Sequence, residues 1–261
     1  GISLGVAAII IVMSVMNGFR SNLTERLLGV NSHLNLYSFN EKINLEEINS
    51  LKTNLDSNDY ELLLPSIETQ GLVIKNKISR GVIIRGYEDL NFDHYLYDQI
   101  ITKKLNSINF NQIIIGDALA KDLKLQIGDK LKLAIPKTDK SLLGDIPRFK
   151  TLIVSGIFDF GMYEYDVGLV FISLELAQKL LLFEDNHFNR IEFYLDNPLS
   201  VNKFKNQIDL NILNKDLSLY SLSWIERNSS LMNALKVEKN VMFLILTLII
   251  IVASMNIISG L

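Results

Sequence analysis

The 261-residue chain has no cysteine, which removes disulfides, thiol nucleophiles and cysteine metal sites together. A cysteine-free domain suits an oxidising or a reducing compartment equally, so this absence does not locate the protein. Its three histidines, His33, His94 and His187, lie far apart, and none sits at a metal-ligand spacing. The sequence has no glycine-rich Lys-Ser/Thr loop, so it offers no cradle for nucleotide phosphates. An excess of one charge sign is also lacking. Lys plus Arg at 26 against Asp plus Glu at 29 provide no polyanion-binding surface, and nucleic acid is not an expected partner.

Residues 241–261 lack charge altogether. As a helix rising about 1.5 Å per residue they would cover roughly 31 Å, close to the ~30 Å hydrocarbon thickness of a bilayer. Residues 1–19 match them at the other end, apolar apart from Ser3, Ser14 and Asn17, with small residues at Gly1, Gly5, Ala8, Ser14 and Gly18 that would let another helix approach closely. This first run lacks a basic leader and a small-residue cleavage pattern, so it reads as a truncated transmembrane helix rather than a signal peptide. Residues 20–32 continue it as a helical stalk carrying Arg20, Glu25 and Arg26, with Gly29 as the expected stop. Residues 224–240 form an amphipathic stalk helix, with Leu231 and Leu235 on its apolar side and Glu226, Arg227, Lys236, Glu238 and Lys239 on its wet side. No turn residue separates it from the second span. Arg20, Arg26, Lys236 and Lys239 flank the middle of the chain and by simple counting would place it in the cytoplasm, but domains of this length translocate largely regardless of charge.

The middle, residues 33–223, reads as a mixed α+β domain. Strands are expected at 33–39, 62–67, 71–75, 81–86, 113–115, 130–135, 149–160, 168–173, 190–195 and 217–223, and helices at 45–55, 118–125, 174–183 and 201–212. This alternation favours one or two α+β sheets over a barrel or a bundle. Two Gly-Asp corners punctuate it: Asp117 is expected to cap the helix that follows, and Gly128 to supply a positive φ. The aromatic stretch Phe92, Tyr95 and Tyr97 is expected to pack locally, and residues 163–166 to form a solvated acidic turn. Residues 136–147 read as a loop bounded by Pro136 and Pro147. Its Leu142, Leu143 and Ile146 either tuck into the core or stand out to grip a partner, and the chemistry leaves both readings open.

Four segments resemble the permease subunit of the lipoprotein-releasing ABC transporter, the LolC/LolE/LolF family. Gly5-Val6-Ala7-Ala8 through Ser14-Val15-Met16-Asn17-Gly18-Phe19 resembles the end of the family's first span. Leu143-Gly144-Asp145-Ile146-Pro147 resembles its periplasmic hook, Gly161-Met162-Tyr163-Glu164-Tyr165-Asp166 the turn beyond, and Glu238-Lys239 through Asn256-Ile257-Ile258-Ser259-Gly260-Leu261 its second span. The span motifs are specific to the family, whereas Gly-Asp corners recur among permeases with MacB-like periplasmic domains.

The resemblance implies a MacB-like α+β domain of two subdomains between two transmembrane helices, in a multi-pass protein of the bacterial inner membrane with that domain in the periplasm. It implies a permease that does no covalent chemistry and holds no cofactor, with ATP and Mg bound by a separate ABC ATPase subunit. Further implied partners are a second permease, either another copy or a paralogue, the lipoprotein substrate and the periplasmic chaperone LolA. The hook would put Leu142, Leu143, Gly144, Ile146 and Pro147 against the chaperone, joined by Lys150. Asp145 stands where some members carry arginine. Met13, Met16, Met255 and Ile258 are the candidates to line a cavity for the acyl chains, methionine adapting to varied shapes. No catalytic or metal-ligating residue is implied. The rival readings are another MacB- or FtsX-like permease, and a membrane sensor whose outer domain signals through residues 224–261.

Overall fold

A computed structural model describes residues 2–53, 55–56, 59–88, 108–141 and 144–260, with the side chains of 2–6, 8–9, 136–141, 144–147, 239, 253 and 256–260 outside the description. Its contacts divide the chain into two units. Residues 1–28 and 224–261 make one, and Gly29–Ser223 the other. Phe92, Tyr95 and Tyr97 lie outside the described residues.

Helix α1 (Ile2–Val30) runs through Arg20 and passes the expected stop at Gly29 by one residue. Strands β1 (Leu34–Ser38) and β2 (Ile43–Asn44) lead to α2 (Leu45–Lys52). That helix begins at a capping box. Asn44 Oδ1 accepts the Glu47 N–H at 2.8 Å, and the Glu47 carboxylate accepts the Asn44 N–H at 2.9 Å. Strands β3 (Leu62–Lys75) and β4 (Ile78–Tyr87) form a hairpin around Asn76, whose φ is 55°. The two short strands expected at 62–67 and 71–75 are therefore one. Its halves pair with different neighbours, so no single hydrophobic alternation runs its length.

After β5 (Gln112–Gly116) comes α3 (Asp117–Leu123). Asp117 does not cap it. Gly116 holds the cap position without a side-chain bond, and Asp117, one residue inside, pairs with Lys121 at 2.5 Å. Gly128 does take a positive φ, 91°. Strands β6 (Lys130–Ser141) and β7 (Gly144–Phe158) follow, then α4 (Tyr163–Gly168), β8 (Leu169–Ser173), α5 (Leu174–Leu181), β9 (His187–Phe188) and β10 (Arg190–Tyr194). The second unit closes with α6 (Val201–Asn214) and β11 (Leu219–Ser223). Helix α6 buries Val201, Phe204, Ile208 and Ile212, the spacing of one helical face.

Strand order is β11-β1-β10-β3-β4-β8-β5-β7-β6, and β6 returns to β3 through Leu72↔Ala134, Val73↔Leu133 and Ile74↔Lys132. Six strands thus close on themselves, contrary to the expectation of open sheets alone. The remaining three extend from the first half of β3, so the domain is α+β with a closed and an open part. Closure depends on Gly71, where a Cβ would stand 2.7 Å from the Ala134 carbonyl oxygen and 2.5 Å from Ile84 Cδ1. Ile67, Val73, Val82, Ile84, Leu131 and Leu133 are buried in this part, whereas Leu72 and Ile83 remain exposed.

In the first unit, α7 (Trp224–Arg227) is followed by α8 (Ser229–Gly260), unbroken between its ends. Among the described residues no helix is long and apolar enough to cross a membrane. The described side chains of α8 give an uncharged stretch over 240–252, about 20 Å at 1.5 Å per residue. The rest of 241–261 falls largely outside the side-chain description.

His33, immediately before β1, is a buried neutral base. Burial lowers its pKa to about 4, and Nδ1 accepts the Leu195 N–H at 2.8 Å, a bond that needs the unprotonated ring nitrogen. The folded state therefore binds fewer protons than the unfolded chain between pH 6.5 and about 4. Stability from His33 is complete above pH 6.5 and is lost as pH falls through that window, by roughly 3 kcal/mol at most. Denaturation midpoints of wild type and His33→Asn, compared from pH 7 to 4, should converge as the solution is acidified. A constant difference would contradict the assignment.

Candidate functional site

The segment expected as a loop is two strands. The β6–β7 ladder continues past the closed part through Thr138↔Pro147, Asp139↔Ile146, Lys140↔Asp145 and Ser141↔Gly144, leaving residues 142–143 between the strands. Sequence reading missed this because Pro136 and Pro147 signal a break. The ladder accommodates them with a register shift between Ile135 and Thr138, the kind of irregularity at which proline is tolerated. The result is a two-stranded arm. Arg148, at its base, donates to the Leu180 carbonyl at 3.1 Å and the Lys179 carbonyl at 3.4 Å, placing a cation at the C-terminal end of α5.

Of the hook candidates, Leu142 and Leu143 lie outside the described residues, and Gly144, Ile146 and Pro147 are placed by backbone alone on β7. Lys150 shares that strand, but nearer the closed part, opposite Leu133. Its ammonium stands 4.6 Å from the centre of the Phe110 ring, which Lys179 also approaches at 4.4 Å.

A second constellation has no counterpart in the sequence reading. Where β3 passes from β10 to β4, two arginines and two glutamates form a network in which Arg85, Arg190 and Glu192 are buried and Glu68 is partly so. The Arg190 guanidinium pairs with Glu68 and Glu192, and also donates to Ser66 Oγ at 3.1 Å and Tyr87 Oη at 3.2 Å. Arg85 reaches the same Glu68 oxygen at 2.9 Å. Its other nitrogens donate to the Val30 carbonyl at 2.8 Å and Asn31 Oδ1 at 3.0 Å, so a buried cation closes the C-terminal end of α1. Asn31 in turn donates to the Tyr165 hydroxyl at 2.7 Å. Burial alone would push the Glu192 carboxyl up, but the Arg190 and Arg85 charges outweigh it and hold it below the usual range. Burial pushes the Tyr87 phenol upward.

The expected solvated turn at 163–166 is α4, and its Asp166 is buried. The carboxylate accepts the Phe160 N–H at 2.8 Å and the Met162 N–H at 3.1 Å. Burial raises its pKa, and these two bonds only partly offset that. A chain of acidic and aromatic letters looks wet, yet here one acid turns inward to satisfy the backbone entering the helix.

The MacB-like periplasmic core domain model matches residues 1–210 of the chain. The chain belongs to that family. Among curated relatives, it is 29% identical over 266 residues to the lipoprotein-releasing system transmembrane protein LolC of Neisseria meningitidis serogroup B, covering all of this chain and 63% of that protein. It is 30% identical over 268 residues to LolC of Buchnera aphidicola subsp. Acyrthosiphon pisum, covering 99% of this chain and 63% of that protein. The chain thus spans 63% of the length of these relatives. Of solved structures, it is similar to the extracellular domain of the noncanonical ABC-type transporter YknZ from Gram-positive bacteria, at a TM-score of 0.46 and 11% identity, over 74% of this chain and all of that one.

In this MacB-like chain the four cavity candidates form two pairs. Met13 and Met16 lie three residues apart on α1, and Met255 and Ile258 three apart on α8, so each pair shares a helix face. Met13 and Met16 are half-buried and Met255 is exposed, while the Ile258 side chain is outside the description. No group of three or more acids or histidines able to hold a metal occurs among the described residues.

Proposed function

We propose that this chain is part of the permease subunit of a lipoprotein-releasing ABC transporter. It would comprise two transmembrane helices, within residues 1–19 and 241–261, and the periplasmic domain between them. The observation carrying this reading is similarity to LolC along the whole chain, at 29% and 30% identity, in a chain whose mixed α+β unit is flanked by two long helices. In this reading the subunit holds no cofactor. A partner ABC ATPase binds ATP and Mg, a second permease copy or paralogue completes the pathway, and the complex lifts lipoproteins from the inner membrane. The acyl chains rest against Met13, Met16, Met255 and Ile258. The arm, with Leu142, Leu143, Gly144, Ile146, Pro147 and Lys150, receives the chaperone LolA.

Depletion of the full-length protein tests the reading directly: mature lipoproteins should accumulate in the inner membrane fraction, and unchanged sorting would refute it. The arm has its own test. A photoreactive residue at Leu143 in the assembled complex should trap the chaperone, and Leu143→Asp should weaken its binding by about tenfold or more, as expected for an apolar anchor. Failure to trap it while the complex remains assembled would remove the arm from this role.

A further inference from the structure

The outward face of β3 and β4 carries a groove of about 770 Å³, a volume within the roughly 300–1,000 Å³ of small-molecule sites. Leu72, Ile83, Ile135, Tyr165 and Leu169 make its lining predominantly apolar. Leu72 and Ile83 are 45% and 40% exposed, large for residues on a closed sheet, and both line this space. The register explains the concavity. Gly81 stands opposite Leu72, so an outward position that would hold a side chain on the neighbouring strand is empty. A Cβ at Gly81 or at Gly168, on the other wall, would meet nothing within 4 Å.

Charge on the lining decides what could lie there. Among the described residues it carries Arg85 and Glu164. Arg85 is already committed to Glu68, the Val30 carbonyl and Asn31. Glu164 is exposed and negative. A fatty-acid carboxylate or a phospholipid phosphate would meet Glu164 and find the arginine already neutralised. An alkyl chain joined to a neutral thioether or amide meets no such penalty. We infer that the groove takes one acyl chain of the lipid-modified cysteine at a lipoprotein N-terminus, a site that rests on the transport reading above and extends the path of the chain into the domain between the helices.

The test uses the full-length protein in its assembled transporter, reconstituted in nanodiscs. The probe is a synthetic tripalmitoylated Cys-Ser-tetralysine lipopeptide with a diazirine midway along one acyl chain, and adducts are mapped by mass spectrometry. Adducts are expected on β3 and β4 at Leu72 or Ile83. Gly81→Leu and Gly168→Leu, which fill the groove where the backbone leaves room, should lower these about tenfold relative to adducts on residues 241–255 of the same sample. Adducts confined to residues 1–30 and 229–261, or groove adducts unchanged in both variants, would overturn the groove while leaving the transport reading intact. Absence of adducts anywhere on the chain would overturn both. A diazirine-labelled phosphatidylcholine that marks the groove as strongly as the lipopeptide would overturn the assignment to lipoprotein.

Discussion

Arg190→Ala is expected to lower the stability of the chain by about 3–5 kcal/mol, the range for removing one partner of a buried ion pair. Arg190 and Glu192 are each 1% exposed in their side chains, and Arg190 is the cation paired with Glu192. Without it, Glu68 keeps Arg85, but Glu192 is left with neutral donors such as the Ser66 hydroxyl at 2.6 Å and the Tyr194 hydroxyl at 3.2 Å. For a domain of this size the thermal midpoint should fall by about 10 °C or more. The double variant Arg190→Met with Glu192→Leu removes the charge and its partner together and should cost less than Arg190→Ala alone. A double variant as damaging as the single one would mean that packing of the arginine stem, not the uncompensated carboxylate, sets the loss. The pH dependence adds a check of sign. The Glu192 carboxyl is held below its usual range, so its contribution is present above the unfolded carboxylate pKa and lost on acidification, in the same direction as His33. Asp166, held above its usual range, works in the opposite sense, so stability from it declines as pH rises through its folded value.

The network also shows where reading the chain by itself ends. Arg190-Ile191-Glu192-Phe193 alternates as a strand should, and alternation is normally read as one wet face and one dry face. Here both faces are buried, and the charged one is satisfied by Ser66, Glu68 and Tyr87, more than 100 positions away in sequence. No local pattern can announce partners at that separation. The closing of six strands has the same origin: β6 meets β3 over three residue pairs, with Gly71 as the sole local hint. Features set by neighbouring residues were legible. The helix that begins at Leu45, the positive φ at Gly128 and the amphipathic helix from Val201 all follow from caps, turn residues and periodicity, although the first ends at Lys52 rather than at 55. The arm fell between these cases, since its prolines signal a break that only the pairing strand reveals as a register shift.

Gly116→Ala should be the most damaging single-methyl change in the domain between the helices. A Cβ there would lie 2.1 Å from the Asp166 carbonyl oxygen, 2.6 Å from its carbonyl carbon and 2.7 Å from its Cα. These are backbone atoms, which cannot rotate aside as the end of a side chain can. Either β5 or α4 must move, and α4 is held by the Asp166 carboxylate on the N–H groups of Phe160 and Met162. Shifting it would strain or break bonds made by a buried acid, a cost added to the ordinary ~1–3 kcal/mol of overpacking. A total of about 3 kcal/mol or more is expected, read as a lowered denaturant midpoint at unchanged m-value. Gly81→Ala is the matched control, since its Cβ meets open space and its midpoint should scarcely change. Equal effects at the two positions would show that α4 is not seated against β5 as described. If they differ as expected, the displacement also reaches Tyr165, whose hydroxyl accepts from Asn31 and whose ring lines the apolar groove. Gly116→Ala should therefore reduce lipopeptide adducts at Leu72 and Ile83 without placing any atom in the groove, which separates the positioning of its wall from the filling of its space.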